Sequence, residues 1–230
     1  MSQPITIYMH GKSPNPWKVI LILEELKLAY TTQEIEFTDV KSKPFTNINP
    51  NGRLPAIEDP NTGITLWESG AILEYLVETY DKDHKISFEH GSTDYFLAKQ
   101  YLHFQMSGQG PYFGQAVWFL IFHPEKIVSA QERYINETKR VTGVLEGILE
   151  GKEFLVGGRF SYADAAFQPW YTVVEVLFTD SIDLSKDFPN VRAWLDRIQA
   201  RPGVAKALEF RAEVLAAEKA AEEKAAQAKA

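Results

Sequence analysis

The chain contains no cysteine. That excludes disulfides, zinc–thiolate and iron–sulfur sites, and any cysteine nucleophile supplied by the protein itself. It also lacks a basic run. Its 24 Lys and Arg against 31 Asp and Glu give a net charge of −7. Nucleic acid, whose phosphates demand clustered cations, is therefore not an expected partner. Long apolar runs are missing too, since Val117–Phe122 falls far short of the ~20 residues that a membrane span needs. Met1–Pro4 carries no basic region or cleavage signature of a secretory leader. The expectation is a soluble, cytoplasmic protein without membrane association. In such a protein the sequon Asn136-Glu137-Thr138 is not a glycan site. The five histidines (His10, His84, His90, His103 and His123) form no i, i+4 pair, and no acidic cluster completes a set around them, so no metal site is expected.

What the chain does have is core material. It is 230 residues long, 45% hydrophobic and 13% aromatic, enough for one large or two small globular domains. Ile5-Thr6-Ile7-Tyr8-Met9 alternates apolar and polar residues, which predicts a strand. Gly11 to Pro16 is a loop. Asn15 before Pro16 predicts an N-cap with proline at the first helical position. A helix follows from Trp17 to about Leu28, and Tyr30 to Phe37 predicts a second strand. This is a βαβ unit. The turn-rich Asn49–Arg53 leads into a hairpin, Leu54–Glu58 and Ile64–Trp67, and Glu68-Ser69 opens a helix from Gly70 to Tyr80.

Asp81 to Thr93 is polar and predicts a linker, and everything beyond it predicts helices. One runs from Tyr95 to about Phe122 with an interruption near Gly108–Pro111. Others cover Pro124 to about Leu149, Tyr162 to about Leu177 and Val191 to about Ala200, with a short one after Arg201-Pro202-Gly203. Gly108, Gly110 and Gly114 follow no strand, so no nucleotide loop is expected. From Ala212 on, the Ala/Glu/Lys composition predicts a solvated, partly frayed and dispensable helix without coiled-coil positions.

Three places carry chemistry. Ser13-Pro14-Asn15-Pro16 joins a strand end to a helix N-terminus, where free N–H groups and the helix dipole favour an anion. A hydroxyl or amide there suits a thiolate, or Asn15 is only a cap. Glu68-Ser69 at another helix start suits the ammonium and carboxylate of an α-amino acid, or is an ordinary acidic cap. Pro55 after Leu54 is a candidate for the cis isomer, found in ~5% of X–Pro bonds. A cis bond would leave the Leu54 backbone outside the sheet to pair with an extended peptide. The alternative is a trans turn proline.

Taken in order, these segments resemble a known family. Ser13–Val19, Asn49–Ile57 and Trp67–Leu76 are similar to the cytosolic glutathione S-transferases, as are Gln105–Pro111 and Ser161-Tyr162-Ala163-Asp164. Within that superfamily they resemble the fungal class related to the yeast nitrogen-catabolite regulator. The resemblance implies α/β plus all-α architecture. An N-terminal thioredoxin-like βαβ-ββα domain (1–81) and a linker (82–93) precede an all-helical C-terminal domain (94–211) and a tail (212–230). It implies glutathione as co-substrate, a small hydrophobic electrophile as second substrate, no metal, and a homodimer.

By the same resemblance, Leu54 pairs through its backbone with the cysteinyl part of glutathione, and Glu68 and Ser69 hold the γ-glutamyl end. Arg53 lies near the glutathione backbone and Lys41 near the glycyl carboxylate. Asn15, with Ser13 second, stabilises the thiolate, while Tyr8 is core or wall. Lowering a thiol pKa of ~8.5 by ~2 units takes ~2.7 kcal/mol, within reach of one charge-assisted hydrogen bond and a helix N-terminus. Candidates for the electrophile pocket are Phe104, Met106, Tyr112, Phe113, Trp118, Trp170 and Tyr171, against the alternative that they are core. Asp164 belongs to an N-capping box and acts in folding. His10 borders the active loop, as a ligand contact or a turn residue. The competing functions are a regulatory glutathione-binding protein without turnover, a glutathione-dependent peroxidase, and a transferase of secondary metabolism.

Overall fold

Alternation in the first strand becomes burial. Ile5, Ile7 and Met9 are almost wholly buried, and in a computed structural model, which describes residues 2–227, they form the inner face of β1 (Ile5–Met9). The described residues fall into two compact units, one from 2–80 together with 199–227 and one from Asp81–Ile198. In the first, β1 is followed by α1 (Pro14–Glu25), β2 (Tyr30–Glu34), β3 (Ala56–Asp59), β4 (Ile64–Trp67) and α2 (Ser69–Tyr80). The sheet order is β2-β1-β3-β4, with β2 parallel to β1, and β3 antiparallel to both β1 and β4. Val19 to Leu23 of α1 are buried, and α1 packs against α2.

The second strand is shorter than its pattern suggested. It ends at Glu34, and Ile35 closes it by donating its N–H to the Met9 carbonyl at 2.8 Å. The loop before β3 is held by Asn49, whose Nδ2 donates to the Arg53 carbonyl at 2.6 Å and whose Oδ1 accepts from the Asn51 N–H at 2.9 Å. Gly52 is obligatory there. Its φ is +57°, and any Cβ would collide with the Val40 carbonyl oxygen.

The second unit is helical: α3 (Thr93–Phe104), α4 (Gly110–Val117), α5 (Val128–Ile148), α6 (Tyr162–Leu177), α7 (Leu184–Asp187) and α8 (Pro189–Gln199). The interruption expected near Gly108 is a π-turn, Gln105–Gln109, that passes straight into α4, and a second π-turn covers Trp118–Phe122. The segment 82–93 is not a free linker. Asp81 accepts hydrogen bonds from Lys85 N, Ile86 N and Ser87 Oγ at 2.7–2.9 Å. Ile86 and Phe88 are buried in this unit, and the Arg159 guanidinium lies 4.4 Å from the Phe88 ring centre. Among the described residues no helix is long and apolar enough to cross a membrane.

The chain from Gln199 on belongs to the first unit, which corrects the expected domain 94–211 and tail 212–230. A single helix, α9 (Pro202–Gln227), runs through both; the last three residues of the expected tail lie outside the described residues. It packs on α1, with Phe210 edge-on to Trp17 at 5.6 Å and the Arg211 guanidinium 5.7 Å from the same ring. Farther along, a Cβ at Gly11 would lie 2.7 Å from Val214 Cγ1, and Lys12 Nζ meets Glu222 Oε1 at 2.5 Å. The tail is therefore not dispensable. Ending the chain after Ala212 should lower stability by about 1–2 kcal/mol, the worth of one partly buried aliphatic side chain with its neighbours. An unchanged urea midpoint would overturn this.

Candidate functional site

Strand register brings the three chemistry-bearing segments to one end of the sheet. Tyr8 of β1 sits opposite Ala56 of β3, and Ala56 sits opposite Trp67 of β4. Because both pairings are antiparallel, the exit of β1, the entry to β3 and the exit of β4 share an end. The first segment is the loop from His10 to Ser13, the second Leu54-Pro55, and the third Glu68-Ser69. Leu54–Pro55 has the cis peptide bond that the sequence offered as one alternative.

The helix start after β1 differs from the expected one. The N-cap is Ser13, with extended backbone, and Pro14 occupies the first turn. Asn15 therefore sits inside that turn rather than at the cap. Both Ser13 and Asn15 are half-buried. The loop is fixed from beneath by Trp17, whose Nε1 donates to the Gly11 carbonyl at 2.8 Å. Tyr8 is committed elsewhere: its hydroxyl donates to Glu58 Oε2 at 2.7 Å, and burial together with that carboxylate pushes its pKa up to about 12. Its ring packs against the cluster of Phe45, Leu54 and Ala56, and a phenol so engaged is poorly suited to stabilising a thiolate.

At the other helix start, Ser69 is buried and Glu68 exposed. Glu68 has φ +73°, a left-handed conformation that costs a non-glycine residue ~1–3 kcal/mol and clusters at functional sites. Its carbonyl accepts the N–H of Ile72 at 2.9 Å, which begins α2. Beneath lies a residue to which the sequence reading gave no role. Lys18 is 1% exposed, and its Nζ donates to Ser69 Oγ at 3.3 Å. Burial pulls its pKa down to about 7, and the Glu68 charge pulls it partly back. The signal was visible as a lone charge in the apolar run Trp17–Leu23.

The remaining expected residues are placed as follows. Leu54 is buried and precedes β3, while Arg53 is exposed on the same approach. Lys41 is exposed, and its Nζ donates to the Asn51 carbonyl at 2.7 Å, so it braces the loop of Arg53. In the helical unit the aromatic candidates divide. Phe113 and Tyr171 are fully buried and Trp170 nearly so. Phe113 packs edge-on against both Trp170 and Tyr171. These three are core rather than pocket wall, because their rings fill the interior between α4 and α6. Phe104, Met106 and Tyr112 are half-buried and Trp118 is exposed.

A wide opening of about 1150 Å³ in the first unit, with Lys27, Tyr30 and Phe210 among its lining residues, lies at the far end of α1 and includes none of the site residues. His10 lies beside two carboxylates that its sequence neighbours do not supply, Glu34 and Glu218.

Comparison with known proteins follows this geometry. The family model "Glutathione S-transferase, N-terminal domain" matches residues 3–78, and "Glutathione S-transferase, C-terminal domain" matches 111–202. The chain is 52% identical over 215 residues to a glutathione S-transferase-like protein of Aspergillus fumigatus, covering 90% of this chain and 95% of that one. It is 34% identical over 240 residues to the transcriptional regulator URE2 of Saccharomyces cerevisiae, covering 88% and 67%. Among solved structures, the glutathione transferase URE2P6 of Phanerochaete chrysosporium in complex with oxidized glutathione matches with a TM-score of 0.88 at 45% identity. That match covers 92% of this chain and 98% of the other.

Proposed function

The chain belongs to the glutathione S-transferase family, and from that premise we propose that it binds glutathione at the shared end of the sheet and transfers its thiolate to a small hydrophobic electrophile. The observation that carries the reading is the second helix start. There a buried Ser69, backed by the Lys18 ammonium at 3.3 Å, stands beside Glu68 held at φ +73°. A helix N-terminus with a hydroxyl attracts a carboxylate, and an exposed carboxylate beside it attracts an ammonium. That pair of complementary charges is the γ-glutamyl end of glutathione. Leu54 is proposed to receive the cysteinyl backbone, with Arg53 and Lys41 toward the glycyl end.

The chain has no thiol of its own, so glutathione supplies the nucleophile. Asn15, in the first turn of α1, is proposed to hold the thiolate, with Ser13 at the N-cap as the second candidate. Both act with the helix dipole, and the electrophile gains rate mainly from being held close to the sulfur. For that electrophile we propose an apolar surface of the helical unit that includes Phe104, Met106, Tyr112 and Trp118. The similarity to a transcriptional regulator favours one second reading, glutathione binding without turnover.

Calorimetric titration with glutathione, followed by assays with an aryl halide and a hydroperoxide, separates these readings. No binding at millimolar glutathione would sink the proposal. Binding without conjugation would favour the regulator, and turnover of the hydroperoxide alone would favour a peroxidase. Asn15→Ala is expected to raise the pKa of bound glutathione's thiol by about one unit, the worth of one charge-assisted hydrogen bond. Ser13→Ala is expected to move it less. Ultraviolet thiolate absorbance measures both, and the reverse order would transfer the role to Ser13.

A further inference from the structure

One edge of the sheet borders a groove. The strand order is β2-β1-β3-β4, so β2 has a neighbour on one side, and among the described residues no strand pairs with its other side. Along a strand the backbone groups alternate between the two sides. The Ala29 carbonyl accepts from Ile5 N at 2.9 Å, and Ile35 N donates to the Met9 carbonyl at 2.8 Å. Odd-numbered positions therefore face β1, and Tyr30 and Thr32 turn their N–H and C=O outward. Proteins usually blunt such an edge with proline, lysine or a bulge. Tyr30-Thr31-Thr32-Gln33 carries neither charge nor proline, and its register with β1 is unbroken.

The other wall of the groove is α9. At one end Glu24 ties the two walls together, accepting from the Tyr30 hydroxyl at 2.7 Å and from Lys206 Nζ at 2.8 Å. At the other end a Glu218 oxygen of α9 lies within 4.8 Å of one from Glu34, where β2 ends. Helix and strand thus run side by side in the same direction. The opening of about 1150 Å³ lies between them, with Tyr30, Thr32, Glu209, Phe210 and Glu213 on its walls. Tyr30 sits opposite Ile5, where β1 begins, so the opening is away from the end of the sheet proposed for glutathione.

Glu209 and Glu213 set the chemistry. They stand one turn apart on α9 and are both exposed. Like charges at that spacing repel, and among the described residues no cation is paired with either; Lys206, one turn before Glu209, is held by Glu24. The two positions are ~6.0 Å apart along the helix axis, and alternate residues of an extended chain are ~6.6 Å apart. We propose that this groove binds a basic segment of another protein as a fifth strand of the sheet. Its main chain pairs with Tyr30 and Thr32, and lysine or arginine at alternate positions faces Glu209 and Glu213. Half-buried Phe210 offers the aliphatic stems of those cations an apolar surface. The wall from Pro202 to Glu213 is ~17 Å long, room for about five extended residues. A second copy of this chain is a poor occupant, because it brings the same acidic wall and a net charge of −7.

The probe is a capped, fluorescently labelled pentapeptide that alternates lysine and valine, read by anisotropy against the full chain at physiological ionic strength. It should bind, and its glutamate–valine counterpart should not. The same peptide methylated on every main-chain nitrogen keeps its charges and loses its donors, so it should bind about tenfold more weakly or worse. Glu209→Gln combined with Glu213→Gln should weaken the lysine peptide about fivefold or more. Thr32→Pro, which an outward N–H on an edge strand tolerates, should weaken it as well. Amide exchange followed by NMR reads the edge in the unaltered chain. The N–H groups of Tyr30 and Thr32 should exchange fast without peptide and slowly with it, while those of Thr31 and Gln33 stay protected throughout. Absence of binding at millimolar peptide overturns the proposal, and so does equal binding of the glutamate or the methylated peptide. Protection of Tyr30 and Thr32 that grows with protein concentration alone would give the edge to a second copy and overturn it too.

Discussion

Replacing Asp164 with alanine is expected to destabilise the helical unit by about 3–5 kcal/mol, the cost of removing one partner from a buried charged network. Asp164 is wholly buried at the start of α6. Its carboxylate accepts four hydrogen bonds, from Ser161 N and Ser161 Oγ at 2.9 Å, Leu155 N at 3.0 Å and Trp194 Nε1 at 2.9 Å. Alanine would strand all four donors away from water. Each orphaned donor costs ~1–3 kcal/mol on its own, and the four are not additive because they share one cavity. Burial pushes the carboxyl pKa up, and the donors pull it back.

Two controls separate the causes. Ser161→Ala removes only the hydroxyl and should cost ~1 kcal/mol, the size of a cap. Asp164→Asn keeps the volume but turns an amide N–H₂ toward donors, so its loss should approach that of alanine. Urea unfolding measures the series, with a falling midpoint at constant slope. A loss under ~1 kcal/mol for Asp164→Ala would show that water enters and satisfies the donors.

The same aspartate marks how far the sequence could be read. The spacing Ser161 to Asp164 announced the start of α6, because a capping box is local. Leu155 and Trp194 are joined to it only by the fold. Strands β1, β3 and β4 were legible for the same local reason: their alternation and turns lie within a few residues. The end of the sheet that gathers Ser13, Leu54 and Glu68 was not, since it depends on register between strands. Asn15 was misplaced at the cap because two prolines follow one another, Pro14 and Pro16, and either satisfies the preference for proline in a first turn. Whether Phe113, Trp170 and Tyr171 face a pocket or the core stayed open, because an aromatic on a helix shows its spacing but not its direction. The Ala-rich tail gave no sign of a partner, since Val214 and Glu218 acquire their roles only against Gly11. Lys18 left a visible trace, a charge among apolar residues, but its meaning required Ser69 to arrive from fifty-one residues away.

Lys18→Met should change both the pH dependence of stability and the affinity for glutathione. The folded pKa of Lys18 is pulled down to about 7 by burial, against ~10.4 in an unfolded chain. Between those values the unfolded state binds more protons, so stability rises with pH across the window. The destabilisation is fully present below pH ~7 and gone above pH ~10. Methionine has similar length and no charge. The variant should therefore be more stable than the parent at pH 6, with the advantage fading toward pH 10.

Ligand binding should move the other way. A glutamyl carboxylate placed at Ser69 favours the ammonium form of Lys18, so glutathione binding should take up protons near pH 7–8, by linkage between the two sites. Without the lysine, that uptake should vanish and affinity fall by about 10–100-fold, the range of a lost charge-assisted hydrogen bond in a buried setting. Titrations in two buffers of different ionisation enthalpy read the proton uptake directly, and urea unfolding at pH 6 and pH 10 reads the stability. Uptake that persists in Lys18→Met would assign the titrating group elsewhere. Unchanged affinity would mean that Lys18 supports Ser69 through packing alone.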